Sequence, residues 1–147
     1  MASDRIARPV TMPGSLTFIL GLCGAGKSYL IRQLDADLKF DEGFAWNLRG
    51  EHEQLVAALR ANKRCAVIEV AYCLPGPRET YVARIRREVP GLTIHWKCFE
   101  NDLGTANKNC RLRLDRDPEL HFRINDQLSA GYTFPEGAEV LPIWSCE

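Results

Sequence analysis

The sequence is distinguished first by what it lacks. No apolar run in its 147 residues approaches the roughly 18 residues that a membrane span needs, and residues 1–15 hold no apolar segment typical of a secretory signal. The six cysteines stand singly, without a Cys-x-x-Cys pair or a cluster of Cys and His. Such spacing is typical of buried thiols in a reducing compartment rather than of disulfides or a metal site. We therefore expect a cytoplasmic protein with no membrane partner.

An excess of charge of either sign is also lacking. Nineteen basic groups balance nineteen acidic ones, whereas binding to duplex nucleic acid through its phosphates needs a cationic face. Fourteen of the basic residues are arginine, and several of them gather in residues 78–87 and 111–116. The planar guanidinium suits bidentate phosphate contacts, although a charged helix face in solvent would have the same composition. The balance argues against a duplex-binding protein and leaves a smaller phosphate ligand open.

The length and the apolar pattern predict one α/β domain. A chain of 147 residues has the size of a single domain, which we expect over residues 14–147 after an N-terminal tail of residues 1–13. Short strand-like runs alternate with amphipathic helical stretches, an order typical of a mostly parallel sheet with helices on both faces. The predicted architecture is a three-layer sandwich with a five-stranded, mostly parallel sheet.

The apolar periodicity also predicts the individual elements. Helices are expected at residues 27–39, 51–62, 77–89, 102–112 and from about 118 to 128. Strands are expected at residues 16–20, 43–48, 65–71, 92–99 and 139–144. Because Pro142 has no N–H to give to a neighbouring strand, the last strand is predicted to lie at an edge of the sheet.

Residues 21–28 carry the most specific motif of the chain. They read Gly-Leu-Cys-Gly-Ala-Gly-Lys-Ser and fit G-x-x-x-x-G-K-[ST] at every fixed position. The motif directly follows the first expected strand and opens the first expected helix, so that backbone N–H groups and the helix dipole face a phosphate. A dinucleotide-binding loop is excluded because Tyr29 stands where its third glycine would be. The residues predicted to bind the nucleotide are Gly21, Cys23, Gly24, Ala25, Gly26, Lys27, Ser28 and Tyr29.

Two side chains of the motif, together with a neighbouring carboxylate, predict Mg-ATP as the bound species. Lys27 supplies a cation for the β- and γ-phosphates, and the Ser28 hydroxyl is a ligand for Mg²⁺. A second metal-binding group is expected where the neighbouring strand ends, and there the apolar run 65–68 is followed by Glu69. A carboxylate within a buried strand is costly unless it has a partner. The alternative is that Glu69 lies at an exposed strand end.

At these residues the chain resembles the P-loop NTPases, and within them the small nucleoside and nucleotide kinases, over about residues 14–125. Residues 72–78 resemble the loop that faces the acceptor substrate in polynucleotide-kinase-like and gluconate-kinase-like proteins. Residues 99–113 are similar to the region that carries the lid arginines of those kinases. The resemblance implies that Arg111 and Arg113 clamp the transferring phosphoryl group, where a guanidinium stabilises the developing charge.

One part of the family pattern is missing after the second expected strand. These kinases usually carry an aspartate there, which orients or deprotonates the acceptor hydroxyl. In this chain the corresponding residues 46–53 read Trp-Asn-Leu-Arg-Gly-Glu-His-Glu, with no aspartate. Glu51 is the candidate to replace the aspartate as a catalytic residue, whereas Asn47 is able only to orient a hydroxyl.

Three functions are consistent with this pattern. The first is a Mg-ATP-dependent phosphotransferase that acts on a hydroxyl of a small molecule or nucleotide, and the sequence does not name that acceptor. The second is an ATP-binding module or slow NTPase without an acceptor, which the missing aspartate favours. The third is a kinase of nucleic-acid ends, in which the arginines of residues 78–87 follow a single strand. A GTPase is disfavoured because the chain has no N-K-x-D motif after a later strand.

Overall fold

The computed structural model describes residues 13–113 and 117–143, and it confirms the predicted α/β fold. The strands are β1 (Ser15–Leu20), β2 (Leu38–Phe40), β3 (Arg64–Ile68), β4 (Thr93–Phe99) and β5 (Glu139–Leu141). The helices are α1 (Lys27–Gln33), α2 (Glu51–Arg60), α3 (Pro75–Glu88), α4 (Leu103–Leu112) and α5 (Pro118–Gly131). Two short 3₁₀ turns, Phe44–Trp46 and Val70–Cys73, complete the described elements. The single domain of residues 14–147 stays a prediction, because parts of it lie outside the described residues.

The five strands form one sheet in the order β2-β3-β1-β4-β5, and every neighbouring pair is parallel. The last strand lies at the edge of the sheet, as the proline after it predicts. Because the sheet is parallel, the carboxyl ends of its strands meet along one side, where α/β proteins bind their ligands. The loop that follows β1 lies on that side.

The core has two parts because both faces of the sheet are covered. On one face Phe18 of β1 packs against aromatic rings of the next segments, with Tyr72 at 5.7 Å and Tyr81 at 6.1 Å between ring centroids. On the other face Ile19 is buried with Ile31 of α1. Alternate residues of one strand thus face different layers, as the two-residue period of a strand requires.

The position of the second strand differs from the prediction. A strand was expected at residues 43–48, but the structure places β2 at Leu38–Phe40, and α1 ends at Gln33 instead of continuing to residue 39. Residues 43 and 47 adopt left-handed φ angles of 93° and 52°, which are incompatible with a strand. Consequently the acidic residue at the carboxyl end of β2 is Asp41, and the segment between β2 and β3 covers residues 41–63.

The three tryptophans fall within strands that the sequence predicts, at residues 43–48, 92–99 and 139–144, where core packing is the default for an indole, but their surroundings differ. Trp96 of β4 stacks on Phe18 with ring centroids 4.7 Å apart. Trp46 lies in the 3₁₀ turn after β2 and is 74% exposed. Trp144 lies outside the described residues. The core expectation is therefore wrong for Trp46.

Candidate functional site

The phosphate loop of residues 21–28 lies between the end of β1 and the start of α1, as its sequence predicts. Gly24 and Gly26 adopt positive φ angles of 88° and 108°, a region that side chains with a Cβ rarely enter. A Cβ on Gly24 would also overlap the carbonyl oxygen of Ala106 in α4. The loop is therefore both tightly curled and in close contact with a later helix, and glycine is required at position 24 for both reasons.

Lys27 is folded back onto the loop from which it projects. Its Nζ donates hydrogen bonds to the carbonyl oxygens of Gly21 at 2.8 Å and Leu22 at 2.7 Å, and the residue is only 4% exposed. The loop thus holds a buried lysine beside the backbone that its sequence predicts to bind phosphate. An anion that enters the loop meets this charge at short range, where screening by solvent is weak.

Two asparagines, Asn109 of α4 and Asn125 of α5, form hydrogen bonds with the backbone of the phosphate loop, and we call this pair the asparagine clamp. Asn125 of α5 is fully buried; its Oδ1 accepts from the N–H of Cys23 at 2.7 Å, and its Nδ2 donates to the carbonyl of Cys23 at 3.0 Å. Asn109 of α4 donates from Nδ2 to the carbonyl of Gly24 at 2.9 Å. A side-chain amide that satisfies both backbone groups of one residue fixes that peptide segment in place.

The thiol of Cys110 completes this contact. Its Sγ lies 3.2 Å from the carbonyl oxygen of Cys23, to which it donates. Burial raises the pKa of Cys110, so the neutral thiol required for donation is the favoured form. Sequence reasoning missed all three side chains. For the two asparagines, the sequence signal was their position within helical stretches. Asparagine is a poor helix former, so its presence inside a helix indicates that its side-chain amide has a partner.

A cleft of about 340 Å³ opens at the phosphate loop. Its wall combines loop backbone with side chains from α1, the segment after β2 and the end of α4. The lining residues are Gly24, Gly26, Lys27, Ser28, Tyr29, Arg32, Glu42, Asn109 and Arg113. Five of the residues predicted to bind nucleotide (positions 24 and 26–29) thus border one cavity with Arg113. Arg32, Glu42 and Asn109 were not anticipated.

The structure separates the two predicted lid arginines. Helix α4 continues to Leu112, so Arg111 lies within the helix while Arg113 is the residue after its end. Arg113 borders the cleft, whereas the guanidinium of Arg111 lies 5.1 Å from the ring centroid of Phe122 in α5. The helix ends between the two arginines, and the extended backbone of Arg113 (φ −89°, ψ 108°) takes it off the helical path that Arg111 follows. Only Arg113 is brought to the phosphate loop.

Ser28 contacts a carboxylate that sequence reasoning did not single out. Its Oγ donates to Oδ1 of Asp41 at 3.2 Å, and the same Oδ1 accepts from the N–H of Glu42 at 2.8 Å. Asp41 directly follows β2, which is where the resemblance to small kinases places an aspartate. The aspartate was missed because the second strand was expected too late in the chain. A hydroxyl beside a carboxylate offers the hard oxygen ligands that Mg²⁺ prefers.

Glu69 lies at the carboxyl end of β3, and it is buried rather than at an exposed strand end. Its partners are two backbone amides instead of a cation: Oε1 accepts from Ala45 N at 2.7 Å and Oε2 from Ala71 N at 2.9 Å. Glu69 as a whole residue is only 3% exposed, and its side chain caps the 3₁₀ turn of residues 70–73. In this arrangement the carboxylate ties the segment after β2 to the sheet. Its predicted role at Mg²⁺ stays a prediction.

Glu51 lies apart from the cleft. It opens α2, and its Oε1 accepts a hydrogen bond from the backbone N–H of Arg49 at 2.8 Å. That is a local contact at a helix start, where a negative charge is favourable. Because Asp41 occupies the strand end for which Glu51 was the substitute, the structure gives no support to Glu51 as a catalytic residue.

Comparisons with known proteins support the fold and leave the activity open. No protein-family model and no curated protein matches the chain. Among solved structures, a gluconokinase from Sinorhizobium meliloti 1021 is similar with a TM-score of 0.54 at 15% identity, over 91% of this chain and 85% of that chain. At such low identity the similarity shows the fold alone. The chain thus has a P-loop kinase-like α/β fold. Within the described ranges, the helices are too short or too polar to cross a membrane.

Proposed function

We propose that the protein is a Mg-ATP-dependent phosphotransferase that acts on a hydroxyl of a small molecule or nucleotide. The observation that carries this proposal is the convergence of Lys27, Ser28 and Arg113 on one cleft at the phosphate loop. Ser28 also donates a hydrogen bond to Asp41, which directly follows β2, the strand end at which the acceptor is expected. Binding of ATP alone would not need an arginine at the same cleft, whereas phosphoryl transfer uses one to stabilise the developing charge.

The loop and its lysine account for recognition of the phosphates. The backbone N–H groups of residues 24–28 line the start of α1 and offer donors to the β-phosphate. Lys27 exchanges its two carbonyl partners for phosphate oxygens when the nucleotide enters. Arg113 lies at the end of α4 and stabilises the charge that develops on the transferring phosphoryl group. These contacts cost little reorganisation because the loop is already held by the asparagine clamp.

The residues beside the loop fit a Mg²⁺ ion that arrives with the nucleotide. Mg²⁺ commonly binds through one or two protein oxygens together with substrate phosphates. Ser28 Oγ and the Asp41 carboxylate form such a donor set. No group of three or more His, Cys, Asp and Glu able to hold a metal by itself occurs in residues 13–113 and 117–143. When bound, Mg²⁺ would neutralise charge on the phosphates.

Asp41 also has the geometry to face the acceptor. Both of its hydrogen bonds are accepted by Oδ1. Within the described part of the chain no hydrogen bond reaches Oδ2. We therefore assign Oδ2 to the acceptor hydroxyl, which it orients and whose proton it accepts during transfer.

The test is phosphoryl transfer from ATP labelled at the γ-phosphate to a panel of hydroxyl compounds, measured for the wild type and for Asp41→Asn. Asparagine keeps a hydrogen-bond acceptor near Ser28 but cannot take a proton. We expect wild-type transfer to at least one acceptor and a loss of about a hundredfold or more in Asp41→Asn, while ATP affinity measured without Mg²⁺ changes much less. Transfer at the wild-type rate by the variant would remove Asp41 from the reaction.

A second candidate function is an ATP-binding module or slow NTPase. It is favoured by the close succession of the two helices along the chain, since α4 ends at Leu112, α5 begins at Pro118 and a lid needs a longer insertion. ATP hydrolysis at equal rates with and without every acceptor of the panel would support this candidate.

The hypothesis of a kinase of nucleic-acid ends depends on the arginines of residues 78–87, and several of them already have partners within the protein. Arg78 is buried, and it donates to the backbone carbonyls of Tyr72 at 3.1 Å and Thr133 at 2.9 Å. Arg86 donates to the carbonyl of Leu92 at 2.9 Å, and Arg84 pairs with Glu88 at 3.3 Å. These three arginines are engaged within the protein. They do not form a free track for a nucleic-acid strand.

A further inference from the structure

The segment of residues 43–50, which we call the β2–α2 loop, exposes two large apolar side chains. Trp46 is 74% exposed and Leu48 is 80% exposed. Each forgoes the free energy that burial of its apolar surface would supply, and the two lie within three residues of each other rather than scattered singly over the surface. In this fold the two side chains lie in the segment that follows Asp41.

The β2–α2 loop is well anchored in spite of this exposure. Phe44 is 2% exposed, and its ring packs against Phe40 and Tyr81 with centroids at 5.3 and 5.5 Å. Asn47 adopts a left-handed φ of 52°, and its Oδ1 accepts from the N–H of His52 at 2.9 Å. The backbone that carries Trp46 is therefore fixed on both sides. A rigid loop that presents an indole pays little conformational entropy when a ligand binds.

Two hydrogen bonds place the start of this loop at the candidate site. Asp41, two residues before it, accepts from Ser28 of the phosphate loop at 3.2 Å. Ala45, directly before Trp46, donates its N–H to Glu69 at the end of β3 at 2.7 Å. Trp46 thus follows the acceptor-side carboxylate by five residues and lies along the same side of the sheet.

We propose that Trp46 is a stacking platform for the flat ring of the phosphate acceptor, which makes the acceptor a nucleoside or another nucleobase-bearing compound. This inference rests on the proposed phosphotransferase function and specifies its acceptor. An indole face binds a base by stacking, whereas an acyclic polyol or sugar acid is recognised by hydrogen-bond donors and acceptors. Arg49, exposed three residues later, adds a cation for a polar or anionic group on the same compound.

The experiment compares Trp46→Leu, Trp46→Phe and the wild type, with Phe134→Leu as the control. Leucine keeps an apolar side chain and removes the aromatic face, while phenylalanine restores it. Phe134 is a 44% exposed aromatic residue that follows α5 and packs on Tyr132. Each protein is saturated with a nonhydrolysable ATP analogue, and uridine, cytidine, a 5′-hydroxyl dinucleotide and gluconate are then titrated by calorimetry. The affinity for the ATP analogue is measured separately.

We expect the wild type to bind a nucleobase-bearing probe and not gluconate. Trp46→Leu should weaken that binding by about 5- to 150-fold, the range of base–aromatic stacking. Trp46→Phe should recover most of the loss, and Phe134→Leu should match the wild type. The mononucleosides and the dinucleotide distinguish a free nucleoside from a strand end as the source of the base.

Three results would overturn the platform. One is equal binding of the nucleobase probes by the wild type and Trp46→Leu. Another is binding of gluconate in place of every nucleobase probe. The third is a parallel loss of affinity for the ATP analogue in Trp46→Leu, which would assign the indole to the adenine of the donor. In each case the wild type still binds the ATP analogue, so the phosphotransferase proposal survives. Failure of the analogue to bind the wild type would instead contradict the proposed function itself.

Discussion

Arg111 and Arg113 stand two residues apart in the sequence and yet have different partners. Arg113 follows the last residue of α4 and borders the cleft, and Arg111 lies over the ring of Phe122. The contrast gives a matched pair of variants with the same chemistry. Any general effect of removing a positive charge should occur in both, and an effect on the transferring phosphoryl group should occur in one.

We predict that Arg113→Ala lowers single-turnover phosphoryl transfer or ATP hydrolysis by about a hundredfold or more, because an arginine near the transferring group acts mainly in the transition state. ATP affinity should fall by a smaller factor. Arg111→Ala should keep a rate near that of the wild type and lose only its exposed contact with Phe122. Equal losses in both variants, or a loss confined to Arg111→Ala, would contradict the placement of Arg113.

Asn125 makes two of the hydrogen bonds between the asparagine clamp and the phosphate loop, so its replacement should have the larger effect on stability. Its amide bonds to both backbone groups of Cys23 and is fully buried, so Asn125→Ala would remove the acceptor at the N–H and the amide donor at the carbonyl, which keeps the weaker thiol donor of Cys110. We predict a loss of about 1–3 kcal/mol in the free energy of unfolding and weaker ATP binding, since the phosphate loop would no longer be held in its binding conformation.

The matched control is Asn101→Ala. Asn101 is exposed, and its amide donates to the backbone carbonyl of Ser129 at 2.9 Å. Urea unfolding and calorimetric titration with Mg-ATP measure both effects. If Asn125→Ala lost stability while its ATP affinity matched that of Asn101→Ala, the clamp would be structural only.

At the scale of elements, the strongest apolar patterns predicted the fold, but β2, one of the two three-residue strands, was not predicted. The leucines at 30, 34 and 38 have helical spacing and favour one helix to residue 39. In the structure Leu34 is extended with ψ 140°, α1 ends, and Leu38 instead pairs with Cys65 of β3. A strand of three residues carries too little periodicity to compete with that pattern. Its partner β3 supplies the stabilising ladder from a distant part of the sequence.

Helices α2 and α3 are joined by a buried histidine and a carboxylate. Nε2 of His52 lies 3.0 Å from Oε2 of Glu88, and Nδ1 lies 2.8 Å from the hydroxyl of Tyr81. The hydrogen bond with His52 lowers the pKa of Glu88 below its ordinary value of 4.5, with a smaller contribution from Arg84. A carboxyl with a lowered pKa stabilises the folded state above its ordinary pKa, and this stabilisation disappears as the pH falls through the folded value.

We therefore predict that Glu88→Gln is less stable than the wild type near neutral pH and that the difference shrinks below about pH 4.5. Urea midpoints at pH 7, 5 and 3.5 measure the change. Glu79→Gln on the same helix is the control, because Glu79 is exposed. A stability difference for Glu88→Gln that stayed constant from pH 7 to 3.5 would exclude the ionised carboxylate as its source.

At the scale of the whole molecule, the candidate site is assembled where the parallel strands end. The phosphate loop follows β1, Asp41 follows β2 and Glu69 follows β3, so three local sequence features meet at one side of the sheet. The phosphate loop was predictable because its function needs a contiguous motif. The asparagine clamp was not, since Asn125 lies 102 residues from Cys23 and only the packing of α4 and α5 brings the two together.

Ligand binding at this site should be visible in the stability of the entire chain. A ligand that binds only the folded state stabilises it by about 2.7 kcal/mol at a concentration 100 times its dissociation constant. We predict that Mg-ATP raises the thermal midpoint of the wild type and that Lys27→Ala loses most of this rise. The unliganded midpoint of the variant should fall modestly, because the two hydrogen bonds of Lys27 to loop carbonyls disappear.

The rise in thermal midpoint caused by Mg-ATP must therefore be measured for each protein relative to its own unliganded midpoint. Lys39→Ala is the matched control: Lys39 lies in β2, and its Nζ donates to the backbone carbonyl of Arg32 at 3.3 Å in an exposed setting. The thermal midpoint of Lys39→Ala should rise with Mg-ATP by as much as that of the wild type. Differential scanning fluorimetry over a Mg-ATP titration measures all three proteins. A rise in Lys27→Ala as large as in Lys39→Ala would place the nucleotide somewhere other than the phosphate loop.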